Sequence, residues 1–130
     1  MFTSQRIHEL FEALNSELGQ KDIHGEVYLA GGAVMCLVFH AREATKDIDA
    51  LLVPASELRN AAKVVAALQG LPDGWLNNAV KDFFSEHGRF EVFGEFSHLR
   101  LYVPHPGYLL AMKCLALRLG ENSSGKAETL

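Results

Sequence analysis

Apolar positions along the chain recur at two spacings, one helical and one extended. Ile7, Leu10, Phe11, Leu14 and Leu18 fall three and four residues apart, the signature of a single helix face. Thr3 or Ser4 can cap that helix, and Gly19 is placed to stop it. Gly25 to Ala30 predicts a first strand, and Ala33 to His40 a short, nearly all-apolar helix buried beneath a sheet. Asp47 to Val53 predicts a second strand. Pro54-Ala-Ser56 ends it and caps a helix with Leu58, Ala61, Ala62, Val65 and Leu68 on one face. Leu71-Pro-Asp-Gly-Trp75 is a turn cluster, and Trp75 to Lys81 reads as a short helix leading into a loop around Ser85-Glu-His-Gly88. Alternation in Arg89-Phe-Glu-Val-Phe and in His98 to Val103 predicts two strands, paired antiparallel. Pro106 fits the first turn of a last helix with Tyr108, Leu109, Met112, Leu115, Ala116 and Leu119 as its buried stripe. The sum is an α+β (α/β) domain, a small mixed β-sheet backed by helices. It spans residues 1–119 and is followed by a polar, frayed tail over 120–130.

The candidate chemistry lies in Tyr28-Leu-Ala-Gly-Gly-Ala-Val-Met and in Asp47-Ile-Asp-Ala-Leu-Leu-Val, joined by a polar linker. Residues i and i+2 of a strand share a face, so Asp47 and Asp49 hold their carboxylates side by side while Ile48 faces the core. Two adjacent carboxylates repel unless a cation lies between them, which suits a divalent metal. Gly31 and Gly32, lacking Cβ atoms, let a phosphate come close to the backbone. A phosphate cradle beside metal-binding carboxylates is the minimum equipment for phosphoryl or nucleotidyl transfer. Arg42 and Lys46 flank the connection; each either steadies a triphosphate or is a solvated linker charge, and a guanidinium is the better phosphate fork. Asn77 and Lys81, four apart, would share a helix face toward this site. Trp75 is either a base-stacking ring or a core anchor, with the anchor favoured directly after a turn. Lys113, surrounded by Leu109, Leu110, Met112 and Leu115, either runs its stem along the surface or reaches into the cleft to meet phosphate.

Length and composition narrow the classes. At 130 residues, 48% hydrophobic and 22% charged, the chain is one globular domain with a sizeable core. A net charge of −4 argues against a broadly basic nucleic-acid footprint but leaves room for a local contact with an RNA end. Cys36 and Cys114 lie in apolar, helix-like runs without ligand spacing, so they read as reduced, buried thiols of a cytoplasmic protein. The opening residues carry an amphipathic pattern rather than a signal peptide, and apolar runs fall short of a membrane span. The six histidines show no paired ligand spacing and read as surface or cap residues.

Leu29-Ala-Gly-Gly-Ala followed by Thr45-Lys-Asp-Ile-Asp-Ala-Leu-Leu resembles the DNA-polymerase-β-like nucleotidyltransferase superfamily. Within it, Thr-x-Asp-Ile-Asp and the later Leu109-Leu-Ala-Met-Lys113 are most similar to small bacterial proteins related to AbiEii-type toxin nucleotidyltransferases. The resemblance covers roughly residues 25 to 119 and implies a nucleotidyltransferase-like fold. It also implies Asp47 and Asp49 as catalytic metal ligands for Mg²⁺ (or Mn²⁺), Gly31 and Gly32 at the β- and γ-phosphates, and Lys113 at the phosphates or acceptor. The superfamily supplies a third carboxylate from a later strand; Glu91 is the best-placed candidate, with Glu95 behind it. In the related toxins an Arg- and Asp-rich segment follows the lysine helix, whereas here Gly120 onward offers only Glu121 and Glu128.

Three functional readings follow. The first is a Mg²⁺-dependent enzyme moving a nucleoside monophosphate from an NTP to an RNA end, a small molecule or a protein hydroxyl. The second is the same fold without turnover, serving as a nucleotide-binding or protein-interaction module. The third is a homodimer formed through an apolar helix face, with a vestigial cleft. None of them involves a membrane partner.

Overall fold

A computed structural model describes residues 1–78 and 90–105. In chain order the elements are β1 (Phe2–Thr3), α1 (Ser4–Gln20), β2 (Gly25–Ala30), α2 (Gly31–Leu37), β3 (Ala44–Thr45) and β4 (Ile48–Val53). There follow α3 (Ala55–Gln69), a single 3-10 turn (Asp73–Trp75), β5 (Leu76–Asn77), β6 (Phe90–Glu95) and β7 (Leu99–Pro104).

The apolar stripe of the first helix is buried as its spacing predicts, with Ile7, Leu10, Phe11, Leu14 and Leu18 all inside. Thr3 is the cap: its hydroxyl accepts the Arg6 amide at 3.2 Å, satisfying one of the orphan donors of the first turn. Gly19 does not stop the helix. Termination comes at Asp22, whose φ of 52° lets its own amide and that of Ile23 reach the carbonyls of Gly19 and Leu18, at 3.1 and 2.9 Å. This is the Schellman closure, with an aspartate where glycine is usual.

Two sheets form. β1 and β3 make a short antiparallel ribbon, and the remaining strands make a mixed five-stranded sheet in the order β5-β4-β2-β7-β6. β2 runs antiparallel to β4 and parallel to β7; β5 is parallel to β4 and β6 antiparallel to β7. Strand parity divides the sheet cleanly. Val27, Leu29, Ile48, Ala50, Leu52, Leu99, Leu101 and Val103 are buried in one cluster with the inner faces of α1 and α3. Trp75 is part of that cluster, 1% exposed, and its indole N–H donates to the Ala62 carbonyl at 2.9 Å, so it is a core anchor. The other face of the sheet carries Glu26, Tyr28, Asp49, Leu51, Arg100 and Tyr102, each half-buried or exposed.

The described elements therefore form a mixed α+β architecture, and several local expectations need correction. Leu76 and Asn77 are strand, not helix, because Leu76 completes the core by pairing with Ile48; tertiary burial overrides the local preference. Leu68 is 76% exposed: it sits about 80° around the helix from Leu58, at the margin of the buried face. α2 starts at Gly31 rather than Ala33 and ends at Leu37, ahead of a turn at His40 with φ 51°. Ser56 does not cap α3, whose N-cap is Pro54. Cys36 is a buried free thiol, and burial pushes its pKa up against the opposing pull of Arg42. Among the described residues no helix is long and apolar enough to cross a membrane. Lys81, the loop around 85–88, the last helix with Lys113 and Cys114, and the tail lie outside the described residues.

Phe11 is fully buried between helix and sheet while Leu68 is open to solvent. Phe11→Ala should therefore lose about 3–5 kcal/mol in chemical denaturation. Leu68→Ala should stay within about 0.5 kcal/mol of the parent.

Candidate functional site

The antiparallel register of β2 on β4 pairs Ala30 with Asp49, which delivers the Asp-Ile-Asp strand to the residue preceding the double glycine. Gly31 has φ of 59°, a left-handed backbone that favours glycine. A Cβ added there would stand 3.3 Å from Asp49 Oδ2, so carboxylate and glycine backbone face each other directly. Ile48 is fully buried between Asp47 and Asp49, leaving Asp49 half-buried and Asp47 exposed, just ahead of the strand.

Gly32 is equally constrained. A Cβ on it would run into Thr45 Oγ1, and Arg42 Nη1 would lie 3.5 Å away. Thr45 is 6% exposed, and its hydroxyl donates to the backbone carbonyl of Asp47 at 3.0 Å. It thus fixes the approach of the first aspartate to the strand. The threonine of the Thr-x-Asp-Ile-Asp pattern has a structural task that sequence alone does not disclose. Asn77 also reaches the site, through strand pairing with Asp49 rather than across a helix face. Lys46 is exposed between Thr45 and Asp47.

Glu91 is not brought to this cluster. It pairs with Val103, a core-facing residue, so parity puts it on the opposite side of the sheet from Asp49. It is also three strands away, about 14 Å at ordinary strand spacing. Glu95 forms an ion pair with Arg100, Nε to Oε1 at 3.3 Å, near the far end of the sheet. Glu26 shares the face of Asp49, but both its oxygens are engaged. Tyr28 donates to Oε1 and Tyr102 to Oε2, each at 3.1 Å. The two phenol rings stack with centroids 4.5 Å apart, and Phe90 meets Tyr28 edge-on at 5.0 Å. This arrangement was readable in principle, because Glu26/Tyr28 and Arg100/Tyr102 are i, i+2 pairs on neighbouring strands.

Among the described residues, Asp47 and Asp49 are joined by no third carboxylate, histidine or cysteine within ligand reach. The group that does converge, Asp22, His24 and His98, lies at the other end of β2. Adjacent strands beginning at Gly25 and Leu99 bring it together, which residue spacing alone does not signal. Lys113 falls outside the described residues. No family model, curated protein or solved structure matches the chain.

Two outcomes test this geometry. Gly32→Ala should lose about 1–3 kcal/mol through overpacking against Thr45. Thr45→Ala should be less harmful in that background than alone, a coupling visible in a double-mutant cycle. The second concerns Tyr28, whose pKa is raised from 10.0 to about 12 by burial and then by the Glu26 carboxylate. Between those values the folded chain keeps a proton that the unfolded chain has lost, so stability falls as pH rises from 10 toward about 12. Denaturation midpoints of Tyr28→Phe across that window should lack this part of the decline.

Proposed function

We propose that this chain is a nucleotidyltransferase of the polymerase-β-like type, binding an NTP with Mg²⁺ or Mn²⁺. The observation that carries the reading is the approach of Asp49 Oδ2 to the bare backbone of Gly31, with Arg42 beside Gly32. Hard carboxylate oxygens suit Mg²⁺, and the missing Cβ of Gly31 leaves its backbone bare beside Asp49, whereas the space beside Gly32 is filled by Thr45. Asp47 and Asp49 would hold the ion; Arg42 and Lys46 would meet phosphate oxygens, and Lys113 is assigned the same role on the strength of the resemblance. When bound, the ion offsets polyphosphate charge and lowers the pKa of the attacking hydroxyl.

The chain's own residues then have orienting work. Arg42 would offer a fork for non-bridging oxygens, and Asp49 would hold the ion beside the phosphates. In the transfer, a bond forms from the acceptor hydroxyl oxygen to the α-phosphorus. The bond from that phosphorus to the bridging oxygen breaks, pyrophosphate leaves, and the hydroxyl proton passes to a base or to solvent. The acceptor class is an RNA end, a small molecule or a protein hydroxyl.

A second reading has its own support: a nucleotide-binding or protein-interaction module without turnover. Glu91 is on the wrong face, and Glu26 is committed to two tyrosines. With only two carboxylates at the site among the described residues, the charge these supply for a two-ion mechanism is reduced.

The double substitution Asp47→Asn with Asp49→Asn should leave the melting transition without nucleotide nearly unchanged. Stabilisation by Mg²⁺ plus NTP should disappear, as read by thermal shift with each of the common NTPs. Unaltered NTP-induced stabilisation in that variant rejects the enzyme reading. Release of pyrophosphate in the presence of RNA, small-molecule or protein acceptors separates the enzyme from the silent module.

A further inference from the structure

The closure of α1 and the starts of β2 and β7 bring three ligand-bearing side chains to one point: Asp22, His24 and His98. One donor atom from each lies within 4.8 Å of the others. We infer that they form a site for a divalent transition cation of the zinc class, distinct from the carboxylate pair at the opposite end of β2.

The donor set chooses the metal. Two imidazoles and one carboxylate favour Zn²⁺ and its neighbours over Mg²⁺, which prefers oxygen ligands and retains its water. Tetrahedral zinc bonds of about 2.0–2.1 Å place ligand atoms about 3.3–3.5 Å apart. The observed spread therefore needs a contraction of at most about 1.5 Å, within the reach of small side-chain rotations at exposed Asp22 and His24. One pair is already near that spacing, with His98 Nε2 3.4 Å from Asp22 Oδ1.

His98 is held as a ligand would be. Its Nδ1 is 2.9 Å from Ser97 Oγ, leaving Nε2 to face Asp22. Its backbone amide donates to Asn15 Oδ1 at 2.7 Å, and Asn15 Nδ2 donates to Ser97 Oγ at 3.3 Å. Partners that fix the second ring nitrogen are the usual support of a metal-binding histidine. The absence of a side chain at Gly19 lets the ring sit against α1, since a Cβ there would be 3.4 Å from Nδ1. His24 stacks on His98 with centroids 4.6 Å apart, so both imidazoles are presented together. Both also line an open cavity of about 480 Å³, which gives an ion access from solvent.

Such an ion would tie the segment closing α1 to the residues just ahead of two sheet strands, so binding should be visible as stability. The test uses the full chain, with any affinity tag removed and metal stripped by chelator. Zn²⁺ should bind stoichiometrically and raise the melting temperature, and Co²⁺ should give the absorption of a nitrogen- and oxygen-ligated ion. His24→Ala, at an exposed position, should keep the fold and weaken Zn²⁺ binding at least about tenfold, with His98→Ala behaving likewise. His8→Ala, which removes an exposed histidine paired with Glu12 on α1, should change nothing. Parent-like Zn²⁺ affinity in His24→Ala, or no stoichiometric binding by the parent, overturns the assignment. Asp47→Asn with Asp49→Asn should leave Zn²⁺ binding intact, so this site and the proposed nucleotide site can fail independently.

Discussion

The register of β2 against β4 is the constraint on which the rest of the structure depends. Side chains alternate with a period of two, so a slip of one residue would turn Ile48, Ala50 and Leu52 away from the helices and bury Asp49 in their place. An unpaired carboxylate in that core would cost several kcal/mol, and the lost apolar burial would add to it. The same pairing that builds the core therefore sets Asp49 beside Gly31. Thr45 extends this control beyond the end of the strand, by holding the carbonyl of Asp47 from a buried position. Core formation and site placement are one physical problem here.

Away from the aspartates, the same face of the sheet is organised by a single carboxylate. Glu26 accepts from two stacked tyrosines, and Arg100 in turn approaches Tyr102 and Glu95. Glu91 and Glu95 belong to β6, the terminal strand of the described sheet, whose pairing is irregular between Val92 and Gly94. Charges and an irregularity on an outer strand discourage pairing with another chain. On β6, both acidic residues stand three strands from Asp49.

Much of the described fold is legible because long periodic segments declare themselves. The buried stripe of α1, the bounds of β2 and the antiparallel pairing of β6 with β7 all follow from apolar spacing. The strand Leu76-Asn77 is not legible, because two residues have no periodicity of their own and pair only with the neighbouring β4. In the candidate site, the nearness of Asp49 to Gly31 was foreseeable from two adjacent strands sharing a face. The location of Glu91 was not, since parity relative to a strand three positions away depends on every intervening register. Nor could spacing reveal the convergence of Asp22, His24 and His98, which requires a helix end and two parallel strands to start at the same edge.

The parallel pairing of β2 with β7 also has a consequence for biogenesis. The central strand β2 and its neighbour β7 come from distant parts of the chain, with α2, β4 and α3 among the elements made between them. During synthesis β2 can dock on β4 early, but its other flank has no hydrogen-bonding companion until the segment around Leu99 leaves the ribosome. For that interval the nascent polypeptide displays a bare ladder of amides and carbonyls, bordered by Val27 and Leu29. Premature termination between β4 and β7 would make that display permanent, so such truncated products should be clients for chaperones and proteases.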